Sequence, residues 1–120
     1  MRVESPAIRL TVFLTDTGSY HHRPLGNEIV RRARKAGLAG ATVFHGVEGF
    51  GASSCIHSTQ VMRLCNERPV RVVIVDEPSR IRAFLPEVEK LVDHGMAVLE
   101  QVNLIRFAAA SRRWRPAPAS

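Results

Sequence analysis

The first regular pattern in the chain is an alternation of apolar and polar positions near its N-terminus. Every second position is apolar: Ile8, Leu10, Val12 and Leu14. That alternation predicts a strand with one apolar face. Apolar residues then recur at helical spacing, at Leu25, Ile29, Ala33 and Ala36. The spacing predicts a helix in which Pro24 suits the first turn and Gly37 suits the C-terminal end.

The stretch 40–57 begins as a strand, predicted over Ala41–Val47, and then becomes rich in glycine and serine. Glycine lets main-chain N–H groups approach a ligand closely, and serine adds hydroxyl donors. This chemistry suits an anionic or phosphate-bearing ligand, although a glycine-rich turn without a ligand has the same composition. Both interpretations stay open at this point.

The segment from Phe50 to Pro69 has no single period. A featureless segment of this length is unusual inside a compact domain unless it has a function of its own. Val61, Leu64 and Cys65 fit a helical turn, whereas Gln60–Leu64 would equally extend a strand. The sequence leaves these two alternatives open.

The second half of the chain predicts a strand, a helix and a strand. Val70–Val75 carries β-branched residues on both faces, as in a central strand covered on both sides. A helix then begins at Pro78 and ends at Gly95, and Pro86 should break or kink it near Phe84–Leu85. Met96–Phe107 is predicted as the last strand. Ala108–Ser120 is expected to be a frayed tail.

The predicted order is strand, helix, strand, strand, helix, strand. This is the ferredoxin-like βαββαβ pattern of the α+β class, a four-stranded antiparallel sheet with two helices on one face. We expect one domain over 1–107, followed by the flexible tail 108–120. Four apolar residues fall on or near the face without helices: Phe13, Phe44, Val73 and Val75. Because so large an apolar face is rarely exposed in a monomer, we expect other copies of the chain to cover it.

Charge and composition narrow the function classes. The net charge is +6 with His neutral, which makes a basic nucleic-acid-binding module one alternative. The basic residues lie in two clusters: Arg31, Arg32, Arg34 and Lys35 on the first helix, and Arg112, Arg113 and Arg115 in the tail. The helix cluster fits the solvated side of an amphipathic helix, and aromatic residues make up 6%, too few for base-stacking platforms. Nucleic acid is therefore not the expected partner.

The N-terminus is polar, and no apolar run is long enough to span a bilayer or to serve as a signal peptide. We therefore expect a cytoplasmic protein, in which Cys55 and Cys65 stay as thiols. A Cys55–His57 nucleophile would need an orienting group and an oxyanion hole, so we expect no enzyme. The five histidines (His21, His22, His45, His57 and His94) lack ligand spacing, and we expect no metal and no cofactor.

Four groups of residues carry a resemblance to a known family over roughly residues 6–107. They are Tyr20 with Arg23-Pro24-Leu25, the run Gly37–Phe44, the run Gly49–Ser54 with His57, and Val73–Pro78 with Phe84-Leu85-Pro86. The joint occurrence of Gly-Ala-Thr-Val-Phe, Gly-Phe-Gly-Ala-Ser and Val-Asp-Glu-Pro at this spacing resembles the bacterial and archaeal family called domain of unknown function 190. That family is similar to the PII signal-transduction proteins.

The resemblance implies a ferredoxin-like homotrimer with inward-facing sheets and ligand sites in the clefts between subunits. In PII proteins a long loop between the second and third strands responds to an adenine nucleotide or another small effector and then engages a partner, often a membrane transporter. The equivalent segment here is Gly49–Pro69, and ordering of Cys55–Arg68 on binding would be the switch. The implied ligand contacts are Gly49, Phe50, Gly51, Ser53, Ser54 and His57, with Arg23 neutralising charge.

One departure from the PII pattern concerns the phosphate. PII proteins carry a glycine- and lysine-rich segment after the third strand, whereas this chain has the acidic run Asp76-Glu-Pro-Ser-Arg80. The positive partners of an anion would then be Arg23, Arg71 or Arg106, together with main-chain N–H groups. CutA proteins share the trimeric scaffold, so a CutA-like metal-binding trimer is the other alternative.

Overall fold

The computed structural model describes residues 2–49 and 68–107. In chain order, its elements are β1 (Arg2–Thr15), β2 (Ser19–Tyr20), β3 (Arg23–Pro24), α1 (Leu25–Lys35), β4 (Thr42–His45), β5 (Pro69–Asp76), α2 (Pro78–Leu91) and β6 (Met96–Phe107). Four strands form an antiparallel sheet in the order β4-β5-β1-β6, and both helices pack on one of its faces. The predicted ferredoxin-like fold is confirmed. The predicted tail 108–120 and the order of the segment after β4 lie outside the described residues.

The core fills the space between the helices and one face of the sheet. The strands contribute Leu10, Val12, Val72 and Ile74, and the helices contribute Ile29, Ala33, Ile81, Phe84 and Val88. The alternating and helical spacings of the sequence thus correspond to buried positions, because burial follows the period of each element. Gly37 follows α1 with a φ of +81°, a conformation that suits glycine at the end of a helix.

The helix-free face carries the apolar residues that the sequence placed there, together with charged ones. Strand pairing sets Phe13 opposite Arg71, and Arg71 opposite Phe44. The guanidinium of Arg71 stacks 4.6 Å from the centre of the Phe44 ring. Arg9 and Glu100 form an ion pair of 2.8 Å on the same face. This face is therefore mixed in character, and Val73 stays only half-buried within one chain.

The sequence predicted a break or kink near Phe84–Leu85, and the break is wrong, because α2 runs without interruption from Pro78 to Leu91. Pro86 lies on the exposed side of the helix, where the missing N–H removes one bond to the carbonyl of residue 82. Phe84 and Val88 on the opposite side stay buried. The helix also ends at Leu91 rather than at Gly95.

Two features of the structure were not predicted from the sequence. A short hairpin, β2–β3, precedes α1, and its turn residues His21 and His22 have φ angles of 48° and 69°. In addition, β1 begins at Arg2, and residues 2–7 pair with 102–107 beyond the last contact with β5. We call this two-stranded extension (2–7 with 102–107) the terminal ribbon. Within the described ranges, neither helix is long and apolar enough to cross a bilayer.

Candidate functional site

The described residues at the two ends of the predicted ligand loop, 46–49 and 68–69, lie close together. We call them the stems. The N–H of Gly46 donates to the carbonyl of Pro69 at 2.8 Å, which continues the pairing of β4 with β5. A Cβ on Gly46 would lie 2.6 Å from Pro69 Cγ, so only glycine allows this approach. Gly49 has a φ of +152°, which L-residues rarely adopt. The glycines at this base therefore have a packing role of their own.

A second contact fixes the C-terminal stem. The main-chain N–H of Arg68 donates to the Asp16 carboxylate at 3.0 Å, and the N–H of Asp16 donates to the Arg68 carbonyl at 2.9 Å. Both stems are thus held at the end of the sheet where β1 finishes. Of the predicted contact residues, Gly49 lies at this place, whereas Phe50, Gly51, Ser53, Ser54 and His57 lie outside the described residues.

The predicted charge-neutralising residue, Arg23, lies on the β2–β3 hairpin and faces α1. Its guanidinium is 3.7 Å from the carboxylate of Glu28, and its side chain is 59% exposed. The hairpin itself is attached to α1 by a bond from the N–H of Leu25 to the carbonyl of Gly18. Arg23 therefore belongs to a cluster of arginines around one carboxylate, and its exposed side leaves it accessible to an anion.

Glu28 is the centre of that cluster and is only 1% exposed. Arg31 donates to both of its oxygens, at 3.1 and 2.7 Å, and Arg32 Nε donates at 3.0 Å. These hydrogen bonds outweigh burial and lower the pKa of Glu28 to about 2. Arg32 also bonds Glu87 at 2.9 Å and stacks 4.9 Å from the Tyr20 ring centre. The basic face of α1 is therefore partly neutralised by the protein itself.

The acidic run after β5 has an internal structural task. Asp76 is 2% exposed and accepts hydrogen bonds from the N–H groups of Ala39, at 2.9 Å, and Glu77, at 2.7 Å. Arg80 bonds the carbonyl of Gly37 and lies 3.9 Å from Asp76. These contacts tie the connection between α1 and β4 to the start of α2. Asp76 is thus an anchor for the chain at a position where PII proteins place a phosphate cradle.

The remaining candidate cations, Arg71 and Arg106, lie far apart in one chain. Their partners on β1 are Phe13 and Val3, ten residues apart. At about 3.3 Å per residue, this separation is about 33 Å along the strand. Arg106 donates to Ser5 Oγ at 3.2 Å. A small anion beside the stems can therefore meet Arg71 of the same chain, but not its Arg106.

Metal ligation was the alternative chemistry. Within 2–49 and 68–107, no three His, Cys, Asp or Glu side chains come close enough together to hold a metal ion. His21 and His22 are exposed at the hairpin turn, and His45 is exposed at the end of β4. Cys55, His57 and Cys65 lie outside the described residues.

Two features of this region were missed by sequence reasoning. The Glu28 cluster was readable, because Arg31 and Arg32 follow Glu28 at i+3 and i+4, where helix neighbours meet. The hydrogen bond from the N–H of Ala39 to the Asp76 carboxylate joins residues 37 positions apart, and no local sequence pattern predicts it.

Comparisons with known proteins agree with this architecture. A UPF0166 protein of Aquifex aeolicus is 34% identical over 96 residues, which is 80% of this chain and 90% of that protein. A UPF0166 protein of Methanocaldococcus jannaschii is 21% identical over 98 residues, with 81% of this chain and 90% of that protein covered.

Solved structures share the fold at low sequence identity. One is CPII of Thiomonas intermedia K12 bound to ADP and bicarbonate (TM-score 0.53, 13% identity, 87% of this chain and 91% of that chain). The same protein bound to ADP, AMP and acetate has a TM-score of 0.53 and 12% identity, with 88% of this chain and 92% of that chain covered. A proposed PII-like signalling protein of Thermus thermophilus has a TM-score of 0.52 and 14% identity, with 86% of this chain and 91% of that chain covered. The DUF190 family model, described as "Uncharacterized ACR, COG1993", matches residues 7–104. Since that match spans most of the chain, the protein belongs to the DUF190 family, and its fold is that of PII-like proteins.

Proposed function

We propose that this protein is a PII-like signalling protein that binds a small effector and catalyses no reaction. Its unit is a homotrimer in which the helix-free faces of the sheets meet. The effector, an adenine nucleotide, binds in the seam between copies beside the segment that joins β4 to β5. Binding changes the conformation of that segment, which then engages a partner protein such as a membrane transporter on its cytoplasmic side.

The observation that carries this proposal is the pair of stems. Bonds from Gly46 to Pro69 and between Asp16 and Arg68 hold both ends of the joining segment at one point of the sheet. A long segment with fixed ends is suited to respond to a ligand at its base, because its ends cannot move away from the site. Phe44 and Arg71 lie on the helix-free face beside these stems.

The choice of an adenine nucleotide rests on the structural neighbours. CPII has been solved with ADP and bicarbonate and with ADP, AMP and acetate. In this chain the proposed contacts are the residues identified by the family resemblance: Gly49, Phe50, Gly51, Ser53, Ser54 and His57. The exposed guanidinium of Arg23 would neutralise charge, and Arg71 is the nearer of the other two candidate cations.

The trimer rests on the composition of the helix-free face. Phe44 on one edge strand is 44% exposed, and Met96 and Val98 on the opposite edge strand are 59% and 40% exposed. Large apolar side chains exposed across one face mark interaction sites on soluble proteins. The Arg9–Glu100 pair on the same face would become less exposed in such an assembly.

Isothermal titration calorimetry with ADP, AMP, ATP, cyclic AMP and bicarbonate tests the proposal. We expect ADP or AMP to bind, and the double variant Ser53→Ala/Ser54→Ala to bind about tenfold more weakly, because each lost hydroxyl removes a hydrogen bond to the ligand. The matched control is Ser58→Ala/Thr59→Ala, which removes two hydroxyls from the same segment outside the proposed contacts.

Two results would contradict the proposal. If no nucleotide gives a heat of binding at millimolar concentration, the protein does not bind an adenine nucleotide effector. If the two double variants bind with equal affinity, the proposed contacts at Ser53 and Ser54 are wrong. A response to copper or zinc without a response to any nucleotide would favour the CutA-like alternative.

A further inference from the structure

The outer side of α1 carries three exposed cations in one strip. Arg34 and Lys35 follow Arg31 by three and four residues, a spacing that puts helix neighbours about 5–6 Å apart. We call these three residues the basic strip. Both helices pack on one face of the sheet, so the strip and the helix-free face lie on opposite sides of the molecule. The strip therefore points away from the face where copies are proposed to meet.

The chain neutralises the basic strip only in part. Arg31 donates to Glu28 through Nε and Nη2, while Nη1 takes no part in these bonds and the side chain is still 49% exposed. Arg34 and Lys35 form no ion pair with any carboxylate of residues 2–49 or 68–107. The strip therefore offers a partner two cations and the outer side of a third.

The helix that carries the strip is fixed from its inner side. The two bonds from Arg31 to the buried carboxylate of Glu28 hold the guanidinium in one orientation. Arg32 donates to Glu28 at 3.0 Å and to Glu87 at 2.9 Å, which links α1 to α2. A side chain that is already ordered loses less conformational freedom when it binds. Arg31 is therefore oriented before a partner arrives.

The surroundings of the strip favour an acidic protein segment over a lipid surface or a nucleic acid. The exposed residues of α1 are Asn27 and the strip itself, so the helix presents no exposed apolar side chain to enter a bilayer. The Tyr20 ring is already stacked against Arg32 at 4.9 Å and is not available to stack on a base. A guanidinium binds a carboxylate through two parallel bonds, as Arg31 does with Glu28.

We propose that the basic strip is a docking surface for an acidic segment of a partner protein, whose carboxylates bind Arg31, Arg34 and Lys35. The strip and such a segment are complementary in charge, and complementary charges across an interface speed association and fix the register of the two partners. None of the residues assigned above to the nucleotide belongs to the strip. Docking here therefore does not require a bound nucleotide.

Fluorescence anisotropy of a labelled decaglutamate peptide with the full chain, at low salt and without nucleotide, tests this proposal. We expect decaglutamate to bind more tightly than decaglutamine. Arg34→Gln/Lys35→Gln should weaken decaglutamate binding about five- to tenfold, the loss expected for two exposed ion pairs. The matched control is Arg82→Gln/Lys90→Gln, which removes one arginine and one lysine from exposed positions of α2. This control should bind decaglutamate as the wild type does.

Equal affinities of the two double variants would overturn the proposal, because the total charge of the protein would then hold the peptide. Tighter binding of decathymidylate than of decaglutamate would favour a nucleic acid and overturn it as well. Binding to vesicles of phosphatidylcholine and phosphatidylserine without binding of decaglutamate would contradict it in the same way. A chain that binds decaglutamate but no ADP would contradict the proposed function alone, and the reverse result would contradict the docking surface alone.

Discussion

Glu28 is a carboxylate that packing removes from solvent while three arginines surround it. Burial by itself would raise the pKa of a carboxyl group. Here the hydrogen bonds from Arg31 and Arg32 lower the pKa of Glu28 to about 2. A group whose pKa is lower in the folded protein contributes stability above its ordinary pKa of 4.5 and loses it as the pH falls towards 2.

The first prediction follows for Glu28→Gln. We expect this variant to melt at a lower temperature than the wild type at pH 7, because Arg31 and Arg32 lose their charged partner. The gap should narrow between pH 5 and pH 2.5, where the wild type loses the same contribution. Circular dichroism melts at these pH values measure it. Glu100→Gln, which breaks the exposed pair with Arg9, is the control and should have a small effect. A gap for Glu28→Gln that does not depend on pH would contradict this account.

At the scale of elements, α2 tolerates a proline in its interior. Pro86 removes one main-chain hydrogen bond on the exposed side, while the buried stripe that includes Phe84 and Val88 keeps the helix continuous. Packing of an amphipathic face therefore outweighs a local preference to break.

The second prediction is that Pro86→Ala stabilises the protein. A restored hydrogen bond and a relieved clash outweigh the greater freedom of the unfolded chain, for a net gain of about 1–2 kcal/mol. Pro78→Ala is the matched control. Pro78 is in the first turn, where no hydrogen bond is recovered, so a loss of about 0.4–1 kcal/mol is expected. Urea unfolding measures both variants, and a destabilised Pro86→Ala would show that the proline has a packing role that its exposure does not suggest.

The elements that the sequence predicted well are those whose burial has a period. Alternation at Ile8–Leu14 and helical spacing at Leu25–Ala36 correspond directly to core positions. The β2–β3 hairpin was missed because strands of two residues have no period, and because its turn carries His21 and His22 where glycine or asparagine is usual. The strand pairing of residues 2–7 was not predicted, because a proline such as Pro6 usually interrupts a strand. At Pro6 β1 pairs with β6 alone, so a missing N–H can be tolerated on the open side.

The candidate sites were less predictable than the fold. The sequence predicted a strand over Ala41–Val47, and β4 covers Thr42–His45 of it. The role of Gly46 against Pro69 was not predictable, because it depends on a contact across the sheet. Arg106 was recognised as a candidate cation without its surroundings.

At the scale of the whole molecule, the account depends on assembly and on effector binding occurring together. The helix-free face would be covered by other copies, and the nucleotide would lie in the seam beside the stems. Native mass spectrometry of the full chain with ADP measures both properties at once. The account predicts an ion with the mass of three 13.3-kDa chains that carries up to three ADP molecules. A monomer that binds no ADP, at protein concentrations of tens of micromolar and ADP in excess, would contradict it.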